Sequence, residues 1–203
     1  MSRDAYTAST KVFFMGADLD GADLRDANLS GSDFSGATLI EAKLQGVHLE
    51  EANLSEADLS GAWFSDGTKH VKDSDTPFKQ AHLERADLRS AVLTGSHMEE
   101  AVFAGANLRR ADLKEAYLDN ADFEEACLAE TDMTEAHLLG SNMTKADLEG
   151  ASMVCVRIDS DTKLDSADMR SAFLAGRRKV GDGLLPETNL HDASLKGAKL
   201  DGA

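Results

Sequence analysis

The chain has 203 residues, 42% of them hydrophobic, which is enough for one domain with its own core. Its formal net charge of −16 argues against direct binding to nucleic acid or to an anionic membrane surface, because both repel an acidic protein. The negative charge is concentrated toward the amino terminus: residues 12–66 hold 11 acidic and 2 basic residues, residues 76–160 hold 16 and 8, and residues 161–203 hold 7 of each.

The amino-terminal residues, 1–11, carry no apolar run long enough for a signal peptide. No later segment has the length and hydrophobicity of a membrane-spanning helix, so a cytoplasmic location is expected. Residues 1–11, which include Tyr6, are predicted to form a short cap. Cys127 and Cys155 are too few for a disulfide framework and lack a metal-binding spacing, so we expect two surface thiols.

From residue 12 onward, a large apolar residue recurs at every fifth position, which we denote position i. The longest registers run from Phe14 to Phe64 and from Phe78 to Ile158, and short ones follow at 164–174 and 190–200. Together they make 34 units, and position i−2 is occupied mostly by alanine. An internal repeat of this length indicates a solenoid that occupies residues 12–203 as a single domain.

A period of five fits neither a helix nor a strand. Residues five apart on a helix are rotated by about 140°, so the large side chains would spread around the cylinder. On a strand, five is an odd number, so successive large side chains would change faces. Positions i−2 and i both stay inward only if the chain bends once in every unit, and a chain that keeps bending the same way winds into a coil.

The segments ADLRD, ANLSG, ANLSE and ADLSG match the consensus A(D/N)LXX, and on these residues the chain resembles the pentapeptide-repeat family over most of its length. The resemblance implies an all-β fold, a right-handed quadrilateral parallel β-helix in which four units make one coil. The 34 units then give about 8 coils, and at about 4.8 Å per coil the rod is roughly 40 Å long.

Stacked positions in such a coil are twenty residues apart, and large side chains do recur at that distance, as in Phe14 and Phe34. We expect these ladders to fill a narrow interior, whereas the residue after each large one, such as Asp119, faces water. Replacing Asp119 should then change the free energy of unfolding by about 0.5 kcal/mol or less. The predicted core includes Leu19, Leu24, Phe34, Phe103, Leu118, Phe123, Met133 and Met153.

Three interruptions break the repeat: nine residues at 67–75, one extra residue near 161 that predicts a bulge, and eleven residues at 177–187. Loops on a rigid solenoid often carry recognition, although tolerated decoration is an equal alternative. The second loop combines basic and apolar residues that make it the better candidate for a protein contact: Arg177, Arg178, Leu184 and Leu185.

The carboxyl end offers a second kind of contact. Because the repeat is still running at 199–203, this end is expected to associate with a second copy as a homodimer, with a missing capping segment as the alternative.

Aromatic residues at the outward position i−1 are further candidates for a protein contact. The twenty-residue coil aligns His97, Tyr117 and His137 in one exposed column, and Trp63 is a separate exposed aromatic. Chance outward placement is the alternative explanation of the column. His97 and His137 are expected about 10 Å apart, too far to share a metal ion. No catalytic motif occurs in the sequence, so neither an enzyme nor a cofactor nor a metal site is expected.

The resemblance also implies a class of function. Some members of the family protect DNA gyrase by imitating the shape and charge of duplex DNA. We therefore predict a non-enzymatic binding protein that presents an acidic rod to a protein partner, with mimicry of DNA toward gyrase or another topoisomerase as the sharpest version. A structural scaffold or spacer that acts through dimer or end-to-end contacts is the alternative. Acidic faces follow from the consensus itself, so charge alone does not separate the two.

Overall fold

A computed structural model describes residues 11–64, 78–174, 179–180, 183–184 and 196–202. The predicted cap at 1–11 and the insertion at 67–75 lie outside these residues, except for residue 11. Within the described ranges the regular strands are β1, Lys179–Val180, and β2, Gly183–Leu184, which pair antiparallel inside the predicted insertion at 177–187. No helix in these ranges is long and apolar enough to cross a membrane.

The rest of the described chain is held by single parallel β-bridges between residues that are usually twenty apart. The bridges form four columns, and each residue of a column is the i−1 residue of its unit. A coil of twenty residues therefore has four sides of five residues, and the chain is a quadrilateral β-helix. We number its faces by these columns: face 1 from Phe13 to Lys163, face 2 from Asp18 to Lys199, face 3 from Asp23 to Phe173, and face 4 from Asn28 to Arg157.

The columns continue across the interruptions with longer intervals. Bridge partners lie 29 residues apart from Asn53 to His82, 21 apart from Asn142 to Lys163, and 31 apart from Asp168 to Lys199. The described side chains after each interruption keep the same columns. The face 2 column thus passes through nine bridged residues in nine stacked coils.

Backbone hydrogen bonds occupy four of the five N–H groups in a typical unit. In the first unit, the N–H of Phe14 donates to the carbonyl of Asp33 in the next coil at 2.7 Å. The N–H of position i+2 also donates to the next coil, whereas the N–H of position i−1 donates to the previous coil. The N–H of position i−2 in the following unit donates to the carbonyl of i, and this bond closes the corner. The N–H of position i+1 has no place in this pattern.

Each corner holds position i+2 at a φ of about +60°, as the second central residue of a type II turn requires. Glycine occupies 12 of these corners in the described residues, and 18 carry other residues, most often glutamate. A non-glycine residue in this region costs about 1–2 kcal/mol, which the hydrogen bonds between coils must offset. Corner glutamates such as Glu135 are exposed, so the corners add negative charge to the surface.

Side chains at i and i−2 fill the interior of the coils. The rings of Phe103 and Phe123 stack with centroids 4.8 Å apart and planes 4° apart. Leu19 and Leu24 are only partly buried, because the first described coil has a neighbouring coil on one side only. Six residues of the predicted core are at most 1% exposed: Phe34, Phe103, Leu118, Phe123, Met133 and Met153.

The extra residue near 161 is accommodated by a hydrogen-bonded loop around Asp159. Its Oδ1 atom accepts hydrogen bonds from the backbone N–H of Gly140 at 2.9 Å and of Asp161 and Thr162 at 3.1 Å. The Thr162 hydroxyl donates to the carbonyl of Leu138 at 2.9 Å, which ties the loop to the coil before it. These donors, led by Gly140, lower the pKa of Asp159 below its ordinary value.

We expect Leu118→Ala to lower the free energy of unfolding by about 2–5 kcal/mol, because Leu118 is fully buried and its neighbours are held by the ladder. Asp119 is not the inert neighbour that the sequence suggested, since its Oδ1 accepts the N–H of Leu139 at 2.9 Å. Asp119→Ala should therefore cost about 0.5–1.5 kcal/mol. Urea unfolding of both variants tests which side chains face the interior. Equal losses in the free energy of unfolding would contradict the register.

Asp159→Ala should lower the free energy of unfolding at neutral pH by about 1–2 kcal/mol, because it removes an acceptor shared by three backbone donors. Since the pKa of Asp159 is lowered in the folded protein, its contribution is present above the unfolded-state pKa of about 3.9 and is lost as the pH falls through the folded value. The wild type and the variant should therefore converge in stability on acidification. Asp161→Ala is the matched control, and a loss as large as that of Asp159→Ala would show that the loop tolerates neither change.

Candidate functional site

On most of the surface, the outward side chain at position i−1 forms a hydrogen bond with the backbone of its own unit. Where it is aspartate or asparagine, its side-chain oxygen accepts the N–H of position i+1, the one that the coil leaves without a backbone partner. Asp58, for example, accepts the N–H of Ser60 at 3.0 Å, and Asp122 accepts that of Glu124 at 3.0 Å. Each such side chain closes a local turn on its own backbone. The acidic consensus residue is thus a consequence of the fold.

Face 4 departs from this rule over four successive coils. Its column there consists of His97, Tyr117, His137 and Arg157, none of which has the carboxylate or amide oxygen that accepts this hydrogen bond. His48 is a fifth such residue, lower on the same face. On the other faces, the longest described run of this kind has three residues: Lys43, Trp63 and Val92 on face 3.

The structure brings His97, Tyr117 and His137 together as a stack. The ring centroids of His97 and Tyr117 are 4.3 Å apart with planes 7° apart, and those of Tyr117 and His137 are 4.6 Å apart with planes 58° apart. Tyr117 lies between the two histidines, so they cannot ligate one ion together. His97 and Tyr117 cover one face of each other, whereas the His137 ring is tilted against Tyr117. All three residues are of intermediate exposure, so the column is less exposed than the sequence predicted.

The charge state of the stack follows from its neighbours. Nδ1 of His97 lies 3.2 Å from Oε1 of Glu99, and because a carboxylate only accepts, Nδ1 carries the proton of this contact. Burial, followed by the charge of Arg157, lowers the pKa of His137. His137 is therefore neutral at pH 7. The stack is an aromatic strip with the carboxylate of Glu99 beside one end and Arg157 at the other.

Trp63 lies on face 3 and does not join this strip. Its side chain borders a surface depression of about 480 Å³ that Arg25, Glu41, Lys43 and Gln45 also line. The residue itself is 47% exposed. The structure therefore separates the two predicted aromatic contacts onto different faces.

The predicted loop contacts lie almost wholly outside the described residues. Arg177, Arg178 and Leu185 fall outside them. Leu184 is described by its backbone alone, in strand β2, where it pairs with Lys179.

Charge is distributed unevenly along the rod. In residues 11–64, Arg25 forms an ion pair with Asp23 at 2.6 Å. Its hydrogen bond to Asp23 lowers the pKa of that carboxyl to about 2. From residue 78 onward, bases recur beside acids, as where Lys114 lies 3.1 Å from Asp112 and 3.0 Å from Asp132. The amino-terminal coils therefore carry the larger uncompensated negative charge.

One residue of the candidate surface, Leu139, was not identified in the sequence. Leu139, next to the strip on face 4, is 37% exposed, yet a lone leucine at i+1 gives no signal in a sequence of leucines. Arg157 follows His137 in the column, and only the twenty-residue register relates them. In the described part of the chain, no group of three or more His, Cys, Asp and Glu residues could hold a metal ion. Cys127 and Cys155, both in the described part of the chain, are of intermediate exposure and are not joined in a disulfide.

Comparison with known proteins places this architecture in a family. A family model described as "Pentapeptide repeats" matches eight copies over residues 10–36, 32–67, 81–120 and 116–153. The comparison with curated proteins found no match.

Solved structures supply two similar proteins. HetL, a pentapeptide-repeat protein involved in heterocyst differentiation regulation from the cyanobacterium Nostoc sp. strain PCC 7120, is 30% identical over 95% of this chain and 82% of its own, with a TM-score of 0.41. QnrB1, a plasmid-mediated fluoroquinolone resistance protein, is 18% identical over 94% of this chain and 92% of its own, with a TM-score of 0.54. The coil is accordingly a right-handed quadrilateral β-helix, and the chain belongs to the pentapeptide-repeat family.

Proposed function

We propose that the chain is a non-enzymatic protein-binding rod whose acidic surface occupies a basic, DNA-binding surface of its partner. DNA gyrase or another topoisomerase is the specific partner that we propose. The observation that carries this proposal is the uncompensated acidic charge of the first three coils, which lies on faces 1, 2 and 4 of the described residues. Long-range attraction would bring such a rod to a basic groove, and salt would weaken it.

The charge density is of the right order for this role. A net charge of −16 over a rod of roughly 40 Å is about one charge per 2.5 Å, against about one per 1.7 Å for duplex DNA. A groove that binds DNA phosphates would therefore meet about two-thirds of the charge that DNA presents. The amino-terminal coils, with 11 acids and 2 bases in residues 12–66, come closest to it.

The solved structures support the fold more than the partner. QnrB1 is described as a fluoroquinolone resistance protein, and at 18% identity its likeness extends to the coil alone. We propose gyrase as the partner because of the shape and charge of the rod, together with what the family resemblance implies.

Purified DNA gyrase tests the proposal directly. We expect the protein to change supercoiling activity, or to relieve its poisoning by a quinolone, at micromolar concentrations, and the effect should weaken steeply as salt rises. If supercoiling and poisoning are both unaffected across that range, mimicry of DNA toward gyrase is wrong.

Two matched sets of substitutions locate the charge that matters. The first is Asp18→Asn, Glu41→Gln, Glu51→Gln and Asp58→Asn, and the second is Asp122→Asn, Asp147→Asn, Glu115→Gln and Glu135→Gln. Each set neutralises two aspartates at i−1 and two corner glutamates, and asparagine at i−1 keeps the oxygen that accepts the N–H of i+1. The first set should weaken the effect on gyrase several-fold more than the second, whereas equal losses would contradict a role for the amino-terminal coils.

A further inference from the structure

We propose that the strip on face 4, formed by His97, Tyr117, His137 and Leu139, is the short-range contact site for a segment of the partner that combines arginine or lysine with apolar side chains. This inference rests on the proposed function only in requiring a protein partner. The strip gives the partner a defined place of contact and a defined chemistry. The acidic charge of the whole rod gives neither.

The first support is that the strip gives up a stabilising interaction. Aspartate or asparagine at i−1 satisfies the N–H of i+1 on most of the surface, as Asp112 does for Lys114 at 3.1 Å. His97, Tyr117 and His137 cannot form this local bond in three successive coils, and in the His137 unit Asp119 of the preceding coil accepts the N–H of Leu139 instead, at 2.9 Å. Departures from a local structural rule concentrate where a protein needs a surface for another purpose. A stacked aromatic column is such a surface, since aromatic side chains dominate the energetic centres of protein interfaces.

The second support is the chemistry along the edge of the strip. The carboxylate of Glu99 lies beside His97, with its Oε1 atom 3.2 Å from Nδ1 of the ring. The hydroxyl of Tyr117 and the carboxylate of Asp119 add further acceptors in the same or adjacent coils. A cationic side chain with several N–H donors, above all a guanidinium, matches this set.

Charge on the whole face favours the same occupant. Arg157 and Lys79 are its described bases outside the bulge near 161, and Lys79 lies 3.5 Å from Glu100. Long-range attraction therefore favours a basic segment over an acidic one. The described acids on this face outside that bulge are five: Glu50, Glu51, Glu99, Glu100 and Asp119.

Leu139 and Arg157 determine the orientation of the occupant. Leu139 is 37% exposed beside the His137 ring and offers an apolar contact. Arg157 repels a second cation at the carboxyl-terminal end of the strip. The basic side chain of the occupant therefore lies toward Glu99, and its apolar side chain lies toward Leu139.

A defined peptide tests the site without reference to gyrase. The probe is a short peptide that alternates arginine and leucine, titrated into full-length protein with ¹³C-labelled histidine and tyrosine rings. We expect the largest shifts in the NMR signals of His97, Tyr117 and His137. His82 on face 1 is the matched control, because its Nδ1 lies 3.0 Å from Glu84 but its ring has no described aromatic neighbour. Shifts at His82 as large as those in the strip would overturn the proposal, as would the absence of any shift.

Substitutions toward the consensus give an independent readout. Tyr117→Asn with His137→Asn removes the strip and places the consensus residue at both i−1 positions, so the fold should be kept. We expect the affinity for the peptide to fall at least about tenfold, or about 1.4 kcal/mol. Val102→Asn, at i−1 on face 1, gains the same consensus residue and should bind the peptide as the wild type does. Equal affinity of all three proteins would contradict the proposal.

The two proposals can fail separately. If the peptide binds the strip but gyrase is unaffected, the strip stands and the identity of the partner is wrong. If gyrase is inhibited equally by the wild type and by the Tyr117→Asn, His137→Asn variant, the acidic rod suffices and the strip is not the contact site.

Discussion

The whole structure depends on how a chain with five-residue sides satisfies its backbone N–H groups. In a typical unit, three N–H groups bond to neighbouring coils and a fourth closes the corner, as when Ala17 donates to Phe14 at 2.9 Å. The N–H of i+1 is left over. An aspartate or asparagine two residues earlier accepts it, so the second letter of the consensus is determined by backbone hydrogen bonding. Small residues at i−2 and large ones at i follow from the narrow interior that the same coil encloses.

This constraint explains why so much of the fold could be predicted from the sequence. The spacing of five forces a bend in every unit, and residues such as Phe103 and Phe123, twenty apart, mark the stacked positions. What could not be predicted depends on contacts between coils at the surface. The bond from Leu139 N–H to Asp119 is one example, because it joins side chain and backbone across a coil boundary that leaves no periodic signal.

The candidate surface divides in the same way. The alignment of His97, Tyr117 and His137 follows from the register, but the tautomer of His97 and the lowered pKa of His137 depend on Glu99, on burial and on Arg157. A sequence shows which residues share a column. It does not show which of them stack, which edge faces solvent, or which neighbouring acid orients a ring.

Charge alone is a poor guide to function in this fold. Asp58 accepts an N–H that the backbone leaves over, and Glu135 is an exposed side chain at a corner. A long, regular and acidic exterior is therefore what the coil produces by default, whether or not a partner exists. Specific recognition must come from positions where the chain departs from that default. Face 4 departs from it over four successive coils, with aromatic and basic residues where the backbone favours a carboxylate or an amide. A basic partner can be attracted by the whole rod, but it can be recognised only where the rod is irregular.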